Sequence, residues 1–272
     1  ALFMTNDLVP AQGLLETMTI SDVRSFQPEV MLIPLGSTEP HGPHLPYGAD
    51  TFICDGITAE AVRLANGEGA RVLRLPPLPI GNNVNFKAFP FACRLRVETL
   101  MAILCDLAGF ALEEGVRKVV IVNAHGGNDD TLRASLRQIY DRYGSEMFVC
   151  GCGASQFCNG LAKELFTDHS PHAGDAETSS IMHLAPKLVV DSGRRPYSGN
   201  EPVIPALSQV LWVRPWHRFM PESCMGRPDE SSAGKGEAFC KASAAGLARF
   251  LVELSRAPWS LSFPYQESNT TS

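Results

Sequence analysis

Four short apolar runs, alternating with longer segments of helical period, constrain this chain more than any other feature. The runs are residues 30–35, 71–75, 118–122 and 147–152. Residues 30–35 (V-M-L-I-P-L) are apolar at every position instead of at alternate ones, which suits a strand buried on both faces. Between the runs, apolar residues recur at Ile53, Ile57, Ala61 and Leu64, a three-to-four spacing that predicts an amphipathic helix over 52–64. Similar segments at 97–114 and 129–143 predict two more helices, and Ser21-Asp22 can start a short one. Strand and helix in strict alternation imply a mostly parallel sheet with helices on both faces, an α/β protein in three α/β/α layers. There is no charged linker, low-complexity stretch or internal repeat, so residues 1–272 read as a single domain.

Composition then narrows the function. No apolar run approaches the roughly 20 residues that span a bilayer, and no basic segment followed by an apolar one opens the chain. A soluble, cytoplasmic protein without a membrane partner is expected. The eight cysteines are scattered in apolar contexts without a C-x-x-C pair, as in a reducing compartment. Cys150 and Cys152 form a C-x-C at the end of an apolar run and read as strand packing. A formal net charge of −6 with no Lys/Arg block argues against nucleic acid and favours small-molecule substrates.

The densest group of metal-competent side chains is residues 36–50, G-S-T-E-P-H-G-P-H-L-P-Y-G-A-D. Its prolines and glycines cannot propagate a helix, so it reads as a stiff loop. Glu39 and His41 are two residues apart and point to the same side of an extended segment, where they can hold one cation. Asp50 closes the stretch. A Pro-, Gly- and Asn-rich loop at 76–91 carries Asn83, Asn85 and Phe86 as pocket candidates, with Phe89 and Phe91 as equal candidates for anchors onto the core. The third apolar run leads into N-A-H-G-G-N (123–128), followed by Asp129 as a helix cap, which places His125 at the carboxyl edge of the sheet, where α/β proteins collect ligands. An anion cradle at this helix start is the competing reading, though neither G-x-G-x-x-G nor a P-loop is present. Further on, H-A-G-D-A-E-T-S sets His172 just before a helix start at 174–175 and Glu177 within its first turn, where a carboxylate is favoured. Such a pair can divide metal binding and proton transfer between them. His183, inside that helix, reads as a packed residue.

Taken together, these three motifs and the later G-R-P-D-E-S-S-A-G-K-G-E (226–237) resemble the creatininase, or creatinine amidohydrolase, family, in the family's order over residues 30 to 240 or so. The resemblance implies a layered α/β/α domain, a centre of two divalent ions (zinc foremost, or manganese or iron) and a homo-oligomer, often a hexamer. It assigns Glu39, His41, Asp50 and His125 as metal ligands, with Asp50 as the bridge, and His172 as the proton-transfer residue. This chain departs from the pattern in two places. Creatininase itself has His-x-Glu where this chain has His125-Gly-Gly127, which leaves one ligand missing and makes Glu177 the candidate for it. Residues 89–95, F-P-F-A-C-R-L, also differ from the relatives' F-P-G-T-I-S-L pattern. Both departures fall where specificity would be set, so creatinine itself is not the expected substrate.

The chemistry implied is hydrolysis of a small cyclic amide or related carbonyl compound by metal-activated water, with His172, and Glu177 where it takes part, as the catalytic residues. Formamide hydrolysis, peptide trimming and carbon–carbon ring opening of a keto-inositol are precedents within the family. No serine or cysteine nucleophile is required: Ser37 lacks a G-x-S-x-G elbow, and no cysteine adjoins a base. The reading from another class is a non-catalytic nucleotide- or phosphate-binding module built on the 123–128 turn.

Overall fold

All six residues of Val30–Leu35 are buried, as are all six of Lys118–Asn123, as a two-sided position in a parallel sheet requires. The computed structural model describes residues 12–168, 170 and 172–266. Its strands are β1 (Val30–Leu35), β2 (Val72–Arg74), β3 (Lys118–Asn123) and β4 (Phe148–Gly153), all parallel and in the order β2-β1-β3-β4. The helices are α1 (Ile20–Phe26), α2 (Ala49–Gly67), α3 (Val97–Glu113), α4 (Asp129–Tyr143), α5 (Asn159–Leu165), α6 (Asp175–Leu184), α7 (Trp216–Phe219) and α8 (Ala233–Arg256).

The period of two along each strand divides the interior. Val30, Leu32, Val120 and Val122 face Ile53 and Ile57 of α2 and Leu247 and Leu251 of α8. Met31, Ile33, Val119 and Ile121 face the other way, onto Leu100 and Leu104 of α3 and Leu132 and Ile139 of α4. The expected three layers are therefore present. Each fully buried Leu or Ile in them contributes about 1.5–3 kcal/mol relative to exposure.

Three details differ from the sequence expectation. Helix α2 begins at Ala49 instead of 52, so Asp50 is not the end of a loop but part of a helix's first turn. Asn128, not Asp129, occupies the N-cap position of α4, and Asp129 is its first residue. The longest helix, α8, was not anticipated. The Ser232 hydroxyl caps it by accepting from the Lys235 N–H, but Gly234, Gly236 and Gly246 dilute its apolar stripe. Gly236 is needed for packing, since a Cβ there would collide with the Ser179 carbonyl of α6. Cys150 and Cys152 lie half-buried in β4 against the α8 side of the core, where burial pushes their thiols up to about 12 and about 11, and His183 is half-buried in α6. All eight cysteines are unpaired. Among the described residues, no helix is long and apolar enough to cross a membrane.

Candidate metal centre

The strand order reverses between β1 and β3: β2 lies beyond one and β4 beyond the other. Open α/β sheets bind ligands at such a switch point, because the loops leaving the two strands diverge to opposite faces and open a crevice. Leu35 and Asn123 are paired at the ends of β1 and β3, so both loops leave at one level. Glu39 and His41 follow β1, His125 follows β3, Asp50 opens α2 and Glu177 sits in the first turn of α6.

These five residues and His172 converge. The Asp50 carboxylate lies between two imidazoles, with Oδ1 3.2 Å from His41 Nε2 and Oδ2 3.3 Å from His125 Nδ1. Glu39 Oε2 is 3.2 Å from His125 Nε2, and Glu39 Oε1 is 3.6 Å from His172 Nδ1. Glu177 Oε2 is 3.8 Å from His41 Nε2 and accepts the Ala173 N–H at 2.6 Å. Three groups bring ligand atoms within 4.8 Å of one another: Glu39–Asp50–His125, His41–Asp50–Glu177 and Glu39–His41–His172. Every predicted site residue is thus in one cluster, and Asp50 belongs to two of the groups.

The charges are arranged for a cation. Burial disfavours charge on His41, but Asp50, Glu177 and Glu39 face it and push its imidazole up to about 10. His125 is likewise held well above its usual value, against burial, by Glu39 and Asp50. Burial favours the protonated form of Asp50, yet the two imidazoles hold it below the usual carboxylate range, whereas burial raises Glu39. Glu177 keeps 29% of its side-chain surface open, and loss of solvation still pushes it up to about 7. Burial and the neighbouring His41 keep His172 well below its usual value and therefore neutral. Glu39 Oε1 and Asp50 Oδ2 are buried without a hydrogen-bond partner, a costly state for carboxylate oxygens unless positive charge is supplied. Mixed carboxylate and imidazole donors suit zinc and other borderline cations, so the residues present fit the divalent ions that the sequence implies.

Residues that carried no role in the sequence reading hold this cluster in place. Asn128 is fully buried: its Nδ2 donates to the Gly36 carbonyl and to Asn123 Oδ1, and its Oδ1 accepts the Asn82 N–H, which ties three loops together. Asn123 in turn accepts the His125 N–H and donates to the His125 carbonyl. Ala173 has a left-handed backbone (φ 54°), which costs about 1–3 kcal/mol unless its surroundings enforce it. Here His44 Nε2, Thr178 Oγ1 and Cys224 Sγ all donate to its carbonyl. His44 was visible in the first motif, but nothing local to it revealed a partner 129 residues away.

The loop at 76–91 divides its roles. Asn85 and Phe86 line a cavity of about 280 Å³ over the cluster, together with Trp216 of α7, which the sequence reading had not singled out. Phe86 lies 5.0 Å from the His172 ring and 4.7 Å from Trp216, ring centre to ring centre. Asn83 instead turns inward and bonds Ser37, Thr38 and Cys93, and Phe91 is exposed. Ser37 donates to Asn83 Oδ1 at 2.6 Å and is fully buried, which suits structure better than nucleophilic attack.

Gly127 explains the missing ligand. A Cβ built there would lie 2.5 Å from the Asn82 carbonyl oxygen and collide with His125 Nε2. Glycine is what lets the His125 ring lie across this position, so a side chain at 127 would have to displace that ring. Gly127→Ala is expected to displace His125 and lower metal content, with about 1–3 kcal/mol of destabilisation from overpacking. Gly127→Glu, the creatininase-like residue, is expected to lower metal content further; metal analysis showing a gain would refute this account.

Comparison with known proteins agrees with the fold. Residues 16–251 match the family model for creatininase, creatinine amidohydrolase. A curated relative, the mycofactocin precursor peptide peptidase of Mycobacterium ulcerans (strain Agy99), is 30% identical over 232 residues, covering 84% of this chain and 86% of that protein. Among solved structures, a protein of Bacteroides fragilis NCTC 9343 assigned as a creatinine amidohydrolase superposes with a TM-score of 0.84 at 29% identity, covering 93% of this chain and 100% of that one. A mutant creatininase of Zn-Zn type superposes at 0.75 with 20% identity, over 90% of this chain and 99% of its own.

Proposed function

The chain belongs to the creatininase family and is a metal-dependent hydrolase, and from that premise we propose that it cleaves the carbon–nitrogen bond of a peptide-like amide at a centre of two divalent ions. The observation that carries this reading is the position of Asp50 in both the Glu39–Asp50–His125 and the His41–Asp50–Glu177 groups. One carboxylate with an oxygen toward each group is the donor that two ions would share. Bound there, the ions supply polarisation of the carbonyl and acidification of water. Zinc is the favoured pair, in keeping with the mixed carboxylate and imidazole donor set.

The remaining chemistry falls to the chain itself. His172 Nε2 lies 2.8 Å from the Pro40 carbonyl, which can only accept, so the neutral ring carries its proton there and presents Nδ1 as a base. In this reading Nδ1 takes a proton from the attacking water and passes it to the leaving nitrogen. Phe86 and Trp216 wall the ring and keep bulk water from it. A peptide-like amide is favoured over a small cyclic one because the peptidase relative covers most of the chain at 30% identity, whereas creatininase at 20% supports only the fold. The reading also takes the chain as one catalytic domain in a homo-oligomer, since Val203, Leu211 and Val213 present apolar surface to solvent.

Metal stoichiometry tests the centre. Chelated protein should lose amide hydrolysis and regain it with two equivalents of zinc or manganese. Glu177→Gln should bind about one ion in place of two, with the tighter site kept. Two ions held at unchanged affinity would remove Glu177 from the ligand set, and wild-type protein that binds no more than one ion would overturn the two-ion reading.

A further inference from the structure

A second cavity, of about 330 Å³, borders the first. Ala124, His125, Gly126 and Glu177 line both, so His125 and Glu177 of the metal cluster stand between two lobes. The lobes differ in chemistry. One is walled by Phe86, Trp216 and the His172 ring. The other lies at the carboxyl end of β4 and is lined by small residues such as Gly153, Ala154 and Ser155, together with Asn123, Asp129 and Phe239. A small ring would fill one lobe and leave the other without a use.

We infer that the substrate spans both lobes in one orientation: its amine portion packs on Phe86 and Trp216, and its acyl portion runs past Gly126 into the serine-lined lobe. This rests on the proposed amide hydrolysis. The attacking water forms a bond to the carbonyl carbon, the carbon–nitrogen bond breaks, and the leaving nitrogen gains a proton, giving a carboxylate and an amine. A proton donor must come within about 3.2 Å of the nitrogen, directly or through one water. His172 lines only the aromatic lobe, so the nitrogen and what it carries belong there. The acyl chain must then leave on the other side. Gly126 borders both cavities, and a Cβ added to it meets nothing within 4 Å, so a larger side chain has room where the two lobes meet.

The test uses metal-loaded full-length protein and two amide series: one with the acyl group lengthened from formyl to dipeptidyl on a constant benzylamine, the other with the amine enlarged from methyl to benzyl on a constant acyl group. Gly126→Leu should lower kcat/KM for dipeptidyl relative to formyl substrates by roughly ten- to a hundredfold. Trp216→Ala should leave that ratio alone and instead erase the preference between benzyl and methyl amines. Metal content is measured for each variant, and if Gly126→Leu loses metal, Ser155→Trp replaces it as the block in the acyl lobe. Binding of benzylamine and of an N-acetyl dipeptide acid is measured separately by calorimetry: the two should bind together, with Gly126→Leu weakening only the acid. Equal losses across the acyl series with metal retained, or mutual exclusion of the two fragments, would overturn the orientation. Wild-type protein that hydrolyses no amide would instead overturn the proposed function, and the fragment measurements would still decide whether two lobes bind separately.

Discussion

Asp50→Ala is expected to release both metal ions and abolish turnover while leaving the three-layer fold intact. Asp50 sits between two imidazoles, 3.2 Å from one and 3.3 Å from the other, and is the residue common to the Glu39–Asp50–His125 and His41–Asp50–Glu177 groups. Removing it therefore takes a donor from each group at once and leaves two carboxylates to balance His41 and His125. The loss in rate should reach roughly 10³-fold or more, because groups that act as one unit fail together. Alanine is the best helix former, so the first turn of α2 tolerates it and far-ultraviolet circular dichroism should be unchanged. The metal-free variant also has an electrostatic signature. Asp50 is the largest charge raising His41, which stands at about 10, so without it the His41 titration seen by NMR should fall. The sign follows from linkage: a raised imidazole stabilises the metal-free fold below its unfolded value and loses that stabilisation as pH climbs to about 10. The variant should therefore lose most stability below neutral pH and least in strong alkali. Near-normal metal content would refute the shared-donor role.

His172→Ala is expected to do the opposite: retain both ions and lose activity by ~10²–10⁴-fold, the usual range for general acid–base help. The ring centre lies 4.2 Å from that of His41, tilted by 39°, yet its Nε2 is engaged by the Pro40 carbonyl, and Ser223 Oγ donates to that same carbonyl at 2.7 Å. These contacts hold the ring by its far nitrogen and leave Nδ1 toward Glu39 and the cavity. Because Glu39, His41 and His172 also lie within ligand distance of one another, metal analysis is decisive. Metal lost together with activity would place His172 in the coordination set instead.

How much of this was legible in the sequence varies residue by residue. Glu39 and His41 could be paired because an extended backbone puts alternate residues on one side, and His125 could be placed because a strand that ends in Asn-Ala-His delivers it to the sheet's carboxyl edge. In the same loop Phe86 lines the cavity and packs on His172 as a pocket candidate should, whereas Phe91, read as an anchor onto the core, is exposed, a choice made by surfaces from distant parts of the chain. Trp216 gave no signal, because its neighbours are irregular and its partners Phe86 and His172 are remote in sequence. Helix α8 was hidden by its glycines, of which Gly236 makes sense only once α6 is packed against it.

By itself the sequence determined the strands, their parallel arrangement and the two-sided cores, because burial period and chain stiffness act over a few residues. Tertiary structure alone decided that Asp50 lies between two imidazoles, that the Glu177 carboxylate comes within 3.8 Å of His41, and that His172 meets a carbonyl 132 residues away. Those relations depend on how the layers close around the β1–β3 switch point, where the cost of bringing distant loops together is offset by packing across the whole core and leaves no local imprint on the chain.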